Sequence, residues 1–580
     1  MNKIEEKEGR FKSWDNTELF YRAWNTRQQT DKAIVYLHRG HEHSGRLSEM
    51  VNVFGAGFKG FAYDSRGHGN SPGPRGYAED FAVLVKDLDC FVRFISQEYD
   101  MAVENIAIVA NSVGAVVASA WVHDYAPPIR CEVLVAPAFR IKLYVPFAVP
   151  LLRLLMCIKP VSFIKSYVKS KLLTHDAAQA AMYDEDKLIT RDIAVNILLG
   201  LHDTATRIVD DAAGILTPTL VLSAGRDWIV KKGPQKKFFD NLSSKVKEYI
   251  EFPGFFHAIL YEQQREKAFD KAKEFIQRCF DEKPQRAFLL NSDKEGFFKR
   301  EYDRLNAGPG LFKSIFYGIQ KFSMKTGGLL SEGIRLGFSN GFDSGKTLDY
   351  IYANKPQGRT IIGRLIDQIY LNAIGWVGIR QRKIHLEQTL HEAIDRLSSQ
   401  GKNIRILDIA SGPGRYILNV VKQCEDKDIS VLLRDYKQEN IDAARQLAEQ
   451  MQVKNVSVQL GDAFDRQQLA AISPIPNIGV VSGLYELFSD NEMVSSSLRG
   501  IGECMGPGGC LIYTGQPWHP QIEMIAWTLP NREGKPWIMR RRCQAELDEL
   551  VKAAGFKKID MKIDKYGIFT VSIAIKEQNV

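Results

Sequence analysis

Between Ile106 and Ala118 the chain reads I-A-I-V-A-N-S-V-G-A-V-V-A, an apolar run passing through Asn111-Ser112-Val113-Gly114 into small residues at helical spacing. Few arrangements accommodate it. A buried strand, a tight turn and a helix follow one another, which lifts the Ser112 hydroxyl to the end of a sheet with the first N–H groups of a helix behind it. A serine after a buried strand is also an ordinary helix cap, so the stretch takes its meaning from its surroundings.

Those surroundings predict a parallel sheet. Lys32–His38, Lys59–Asp64, Cys131–Ala136 and Pro218–Leu222 are short apolar runs alternating with helical patterns such as Tyr77–Tyr99, as in a sheet covered on both faces. The Pro218–Leu222 run leads into Gly225-Arg226-Asp227, and the next one ends in Pro253-Gly254-Phe255-Phe256-His257. Ser112, Asp227 and His257 thus follow in the order used by α/β-hydrolases. In that chemistry His257 takes the Ser112 proton and Asp227 fixes the imidazole tautomer.

Two loops carry a more specific likeness. His38-Arg39-Gly40-His41-Glu42-His43-Ser44-Gly45-Arg46 and Asp64-Ser65-Arg66-Gly67-His68-Gly69-Asn70-Ser71 resemble the monoacylglycerol lipase and lysophospholipase branch of that superfamily, also labelled serine aminopeptidases of the S33 type. The resemblance covers about the first 280 residues and implies oxyanion N–H groups on Gly40 and Val113. Arg39 and His41 stand where the family usually has glycines, and Ala110 replaces the first glycine of G-x-S-x-G. Arg39 reads either as an exposed loop residue or as a contact for an anionic headgroup. No carboxylate or cysteine set joins His38, His41 and His43, so no metal is expected. An insertion at about 138–215 is expected to form the substrate cap. Its Leu143–Leu173 segment mixes apolar residues with Arg153, Lys159, Lys165, Lys169 and Lys171, fitting either peripheral membrane contact or a buried cap helix.

At 580 residues the chain is too long for one ordinary core, and two domains are expected. Its net charge of +8 is small for that size, so no nucleic-acid partner is expected. Eight cysteines, none in a CxxC pair, read as reduced core residues of a cytoplasmic protein. Met1–Lys7 lacks an apolar signal region, and the run Leu143–Ile158 is broken by Pro146, Pro150 and Arg153 before it could span a bilayer.

The hydrolase domain is expected to occupy 1–282, followed by an extended connector over 283–340 rich in glycine, lysine and aromatics, and a second domain over 341–580. Ser344-Gly345-Lys346-Thr347 imitates the end of a phosphate-binding loop, yet Asn340 stands where the first glycine belongs and no strand precedes it. Ile404–Arg415, I-R-I-L-D-I-A-S-G-P-G-R, is a strand, a small-residue loop and a helix start, which lets a backbone approach a nucleotide-like ligand. The next strand ends at Asp435, an acid placed to accept from ribose hydroxyls, and the one after in Gly461-Asp462-Ala463.

This series resembles class I S-adenosylmethionine-dependent methyltransferases, whose Rossmann-like fold it implies over about residues 340 to 580. The resemblance assigns S-adenosyl-L-methionine to Asp408, Ala410, Gly412, Gly414, Asp435, Asp462 and Ala463; NAD is the alternative. Tyr485, Glu486 and His519 are candidate acceptor-side groups, His519 as a general base. No Asn-Pro-Pro-Tyr or Asp-Pro-Pro-Tyr sequence is present, which disfavours the usual nucleic-acid and protein amide methylation. The pairing resembles bacterial fusions of a hydrolase with a class I methyltransferase. It implies a bifunctional enzyme that cleaves an acyl ester of a lysophospholipid or monoacylglycerol and methylates a lipid-related or small polar acceptor. The alternatives are a peptidase or acyltransferase in the first domain, or one domain serving only as a binding module.

Overall fold

The computed structural model describes residues 5–27, 29–55, 57–282 and 287–578. It divides into two compact units, Met1–Gln285 and Arg286–Val580.

The first unit is a doubly covered sheet of eight strands. In chain order its strands are β1 (Glu6–Lys12), β2 (Glu18–Trp24), β3 (Ala33–Leu37), β4 (Lys59–Tyr63), β5 (Ile106–Asn111), β6 (Cys131–Val135), β9 (Thr219–Ala224) and β10 (Lys247–Phe252), while β7 (Phe163–Lys165) pairs with β8 (Asp192–Ala194) in the insertion. The sheet runs β1-β2-β4-β3-β5-β6-β9-β10, antiparallel at β1/β2 and β2/β4 and parallel beyond. This is the α/β-hydrolase fold. Every residue of β3, β5, β6 and β9 is buried, so these strands read as unbroken apolar runs. Helix α1 (Val113–Tyr125) follows β5 directly. Between β6 and β9 the insertion carries α2 (Ala148–Ile158) and α3 (Val195–Asp210). No side chain of α2 is buried, so the buried-helix reading of this cap segment does not hold.

The second unit contradicts the extended connector. Phe297–Ala307, α4 (Leu311–Lys325) and Glu332–Asn340 are helices, with a 3-10 turn at Gly327–Leu330, and all belong to the unit that begins at Arg286. Glycines at 308, 310, 318, 327 and 328 hid the spacing of Leu311, Ile315, Ile319 and Phe322, which is that of a helix face. Residues 283–286 lie outside the described residues. Ser344 is the N-cap of the helix Gly345–Ala353, its side chain accepting from the Thr347 N–H. Helices α5 (Ile361–Leu371) and α6 (Ile374–Ser398) lead to β11 (Ile404–Asp408), β12 (Ile429–Asp435), β13 (Val456–Leu460), β14 (Ile478–Val481), β15 (Cys510–Gly515), β16 (Phe556–Ile563) and β17 (Thr570–Lys576). The sheet order is β13-β12-β11-β14-β15-β17-β16, with only β17 antiparallel to its neighbours. A dinucleotide-binding sheet ends in a parallel sixth strand. Here β17 inserts between the fifth and sixth strands instead, so the sheet is Rossmann-like but not that of an NAD domain.

Candidate functional sites

Ser112 stands between β5 and α1 with φ +53° and ψ −108°, a backbone region that L residues seldom adopt. Its N–H donates to the Val135 carbonyl at 2.9 Å, and its carbonyl accepts from the Ala138 N–H at 3.0 Å. A methyl group on Gly114 would lie 2.7 Å from the His38 carbonyl oxygen, so the turn needs glycine there. Ala110, in the departed glycine position, is wholly buried within β5.

His257 Nε2 is 2.8 Å from Ser112 Oγ, and His257 Nδ1 is 2.8 Å from Asp227 Oδ2. Asp227 Oδ1 accepts from the Ile229 and Val230 N–H groups at 2.7 and 2.9 Å. Burial alone would raise the Asp227 carboxyl; the His257 imidazole and those two N–H groups outweigh it and hold the group below the ordinary range. All three side chains are buried. A Cβ on Gly40 would meet Val113 Cγ2 at 2.7 Å, so the two residues adjoin. Val113 opens α1, and its N–H has no partner within the helix. Both line a cavity of about 140 Å³ walled by Leu143, Ile164, Tyr167, Ile193 and Leu198 of the insertion.

The histidines of the first loop have structural partners. His38 Nδ1 lies 2.7 Å from the Arg39 carbonyl and its Nε2 accepts from the Ser65 N–H; His41 meets Ser166 and His43 meets Asp186. Among the described residues no group of three His, Cys, Asp or Glu side chains is placed to hold a metal ion. Arg39 is neither exposed nor aimed at a headgroup with its whole fork: its Nε and Nη2 bind Glu42 at 2.9 and 2.5 Å, and it lies over the Tyr261 ring. Burial would raise the Glu42 carboxyl, but Arg39 and Arg46 pull it down to about 2.

The second unit holds a cavity of about 880 Å³. Ala410, Gly412, Gly414, Asp435, Asp462 and Ala463 line it. Gly412 and Gly414 have φ of +53° and +69°. A Cβ on Gly414 would strike Leu433 Cδ1 at 2.6 Å, whereas one on Gly412, which lines the cavity, would meet nothing within 4 Å. Asp435 accepts from the Gly412 and Lys437 N–H groups and from Asn440, each at 3.0 Å, leaving carboxylate lone pairs for a further donor. Asp462 accepts from the Phe464 N–H at 2.9 Å. This backbone cradle with two acids at strand ends fits an adenosyl group. Asp408 is placed otherwise: wholly buried, it accepts from the Tyr416 hydroxyl and the Ala410 N–H and stays behind the cavity wall. Burial pushes its carboxyl up to about 7.

Of the three acceptor-side candidates, Tyr485 is turned away. Its hydroxyl pairs with Ser497 at 3.0 Å in the core between the sheet and the helices Asn491–Cys504 and Gln544–Ala553. Glu486 faces the cavity; one oxygen binds Arg382 at 3.1 Å and the other, buried, has no partner among the described residues. His519 also lines the cavity, but its Nδ1 accepts from the Gln521 N–H at 3.1 Å. That places the ring proton on Nε2 and makes the neutral ring a donor there, not a base. Burial, with Arg541 nearby, pushes its pKa down to about 3. Sequence reasoning missed the buried arginines that fix these loops: Arg542 donates to the Tyr485 and Phe488 carbonyls, and Arg541 to the Pro517 carbonyl. Their only signal was the run Arg540-Arg541-Arg542 itself. Met324, Ile366, Trp376, Ile379, Met524 and Trp537 form an apolar part of the remaining wall, and Lys383, Arg415, Arg532 and Glu533 a charged part.

Residues 272–576 match the family model described as "Putative methyltransferase". The chain belongs to this methyltransferase family. Residues 28–264 match a second model, "Serine aminopeptidase, S33", so this member fuses the methyltransferase-family half to a lipase-like α/β-hydrolase half. It is similar to "Uncharacterized protein YnbC" of Escherichia coli, 46% identical over 98% of both chains. Its first half is similar to "Phospholipase YtpA" of Bacillus subtilis, 26% identical over 42% of this chain and 93% of the other. A monoacylglycerol lipase structure from Paleococcus ferrophilus covers 47% of this chain and 99% of its own at 24% identity, with a TM-score of 0.40.

Proposed function

We propose that the first unit hydrolyses an acyl ester of a lysophospholipid or monoacylglycerol, and that the second transfers a methyl group from S-adenosyl-L-methionine to a lipid-related acceptor. The observation that carries the first half is the unbroken series Asp227, His257, Ser112 at 2.8 Å steps, at a strained turn beside an apolar cavity. Ser112 Oγ attacks the ester carbonyl carbon as its proton passes to His257 Nε2. The oxyanion faces the Gly40 and Val113 N–H groups. The ester C–O bond breaks, the leaving alcohol takes the proton, and a water deprotonated by His257 then releases the fatty acid. Walls of leucine, isoleucine and tyrosine support an acyl chain over a peptide.

In the second unit Gly412, Gly414 and Ala410 would hold the cofactor backbone-on, Asp435 its ribose and Asp462 its adenine amino group. Bound there, S-adenosyl-L-methionine supplies an electrophilic methyl group. The chain's own part is to orient the acceptor between Glu486 and the His519 Nε2–H, with Trp376, Ile379, Met524 and Trp537 keeping water from that side. The apolar part of the wall with charged residues beside it supports an amphipathic, lipid-related acceptor over a small polar one. Asp408 holds the loop from behind through Ala410 and Tyr416. A cytoplasmic setting with cap contact at the membrane suits the exposed Phe147, Leu151, Leu154 and Ile158. Ester turnover by the intact chain and by Ser112→Ala, with calorimetric titration of S-adenosylmethionine into the intact chain and Asp435→Ala, tests both halves. Equal ester turnover removes the serine mechanism, and absent binding to the intact chain removes the cofactor.

A further inference from the structure

Two helices of the second unit turn their apolar stripes outward. In α4, Leu311, Phe312, Ile315, Phe316, Ile319 and Phe322 share one face and all are exposed, Phe312 at 86%. The opposite face presents Tyr317, Gln320 and Lys321 to the protein, and the Tyr317 hydroxyl and Lys313 both reach Glu523. Helix α5 repeats the inversion. Ile361, Ile362, Leu365 and Ile369 are exposed, Ile361 at 88%, while Asp367 is buried and accepts from Ser331, the Gly333 N–H and the Gln357 N–H. Both helices pack on the turn Gly327–Leu330, whose two leucines are exposed as well. A water-facing helix normally buries its apolar stripe, and a contiguous patch of this size marks an interaction surface.

We propose that α4 and α5 dock on a bilayer surface containing anionic lipid, and that the acceptor enters the 880 Å³ cavity from there. Charge selects this occupant. From Leu311 to Asn372 the chain has eight Lys and Arg against four Asp and Glu. The acids are engaged within the protein: Asp367 is buried, Glu332 pairs with Arg335, Asp343 with Arg532 and Asp349 with Arg415. Lys325, Arg359 and Arg364 are exposed and accompany the stripes, as an anionic leaflet requires. The helices also border the cavity: Gln320 and Met324 of α4 and Ile366 of α5 line it from their inner sides, and Ile369 of the exposed α5 stripe lines it as well. With 15 and 11 residues the two helices are too short to cross a bilayer and suit its interface. Docking stands without the methyl-transfer reading; only the entry route rests on it.

The test is co-sedimentation of the full chain with phosphatidylcholine vesicles, with and without phosphatidylglycerol. The intact chain is expected to bind the anionic vesicles, less as salt rises. Phe312→Ser combined with Phe316→Ser, both outside the cavity, is expected to lower the bound fraction at least about tenfold with an unchanged melting temperature. Arg364→Glu is expected to weaken binding about fivefold or more on anionic vesicles alone. Phe147→Ser with Leu154→Ser on the cap measures the first unit's share. The proposal is overturned if the intact chain stays in the supernatant, or if the double variant binds like the intact chain. It is also overturned if light scattering finds a dimer that the double variant splits. Loss of S-adenosylmethionine binding by the intact chain would remove the methyl-transfer reading while leaving a positive vesicle result standing.

Discussion

The Ser112 N–H donates to the Val135 carbonyl at 2.9 Å, so the residue with φ +53° is fastened to the neighbouring strand. The turn is thus set before any ester arrives, and replacing the side chain should cost activity without cost to folding. Ser112→Ala is expected to lower kcat on a short-chain ester at least about 10⁴-fold with little change in melting temperature. Asp227→Asn, which leaves His257 in the wrong tautomer, is expected to lower kcat by a similar factor of about 10⁴.

Glu42 is the buried counter-ion of both Arg39 and Arg46. Glu42→Ala leaves the buried Arg39 guanidinium without its counter-ion, while Arg46 keeps Asp186, and is expected to destabilise the first unit by about 3 kcal/mol. Urea denaturation followed by a probe in that unit checks it; a loss under about 1 kcal/mol would show that water reaches the pair.

Asp408 gives the second unit a distinctive pH response. Its carboxyl is pushed up by burial to about 7, against 3.8 in an ordinary setting. Between those values the folded chain binds more protons than the unfolded one, so this group's contribution to stability falls as pH rises from about 4 to 7. The total is up to about 4 kcal/mol. Asp408→Asn is expected to flatten that slope in denaturation midpoints measured across the window.

The two loop glycines are expected to respond differently to alanine. Both substitutions incur about 1 kcal/mol for the left-handed backbone. Gly414→Ala also drives a methyl group against Leu433, so its main effect is on the melting temperature. Gly412→Ala meets no neighbour, at a residue that lines the cavity, so its main effect is expected on S-adenosylmethionine affinity, read by calorimetry.

Much of this arrangement is legible in the residue order. Buried parallel strands have no polar face, so β3, β5, β6, β9 and β11 stand out as apolar runs, and the chemistry-bearing residues sit at their carboxyl ends. The edge strands β1 and β16 are harder to read, because their exposed and half-buried residues interrupt the apolar run. Helix α4 escaped because an outward apolar stripe among glycines reads as irregular chain. Side-chain direction is not in the pattern either: Tyr485 and Glu486 are adjacent, yet one enters the core and the other the cavity. The His519 tautomer depends on the Gln521 N–H, a contact no spacing reveals.

One chain is proposed to carry a serine esterase and a methyltransferase that share a lipid setting. Mass spectrometry of a bacterial lipid extract, incubated with the full chain and methyl-deuterated S-adenosylmethionine, tests it most directly. The expected result is fatty-acid release that disappears with Ser112→Ala, together with deuterium in a lipid that disappears with Asp435→Ala. Fatty-acid release unchanged by Ser112→Ala, with no deuterium in any lipid, would contradict it.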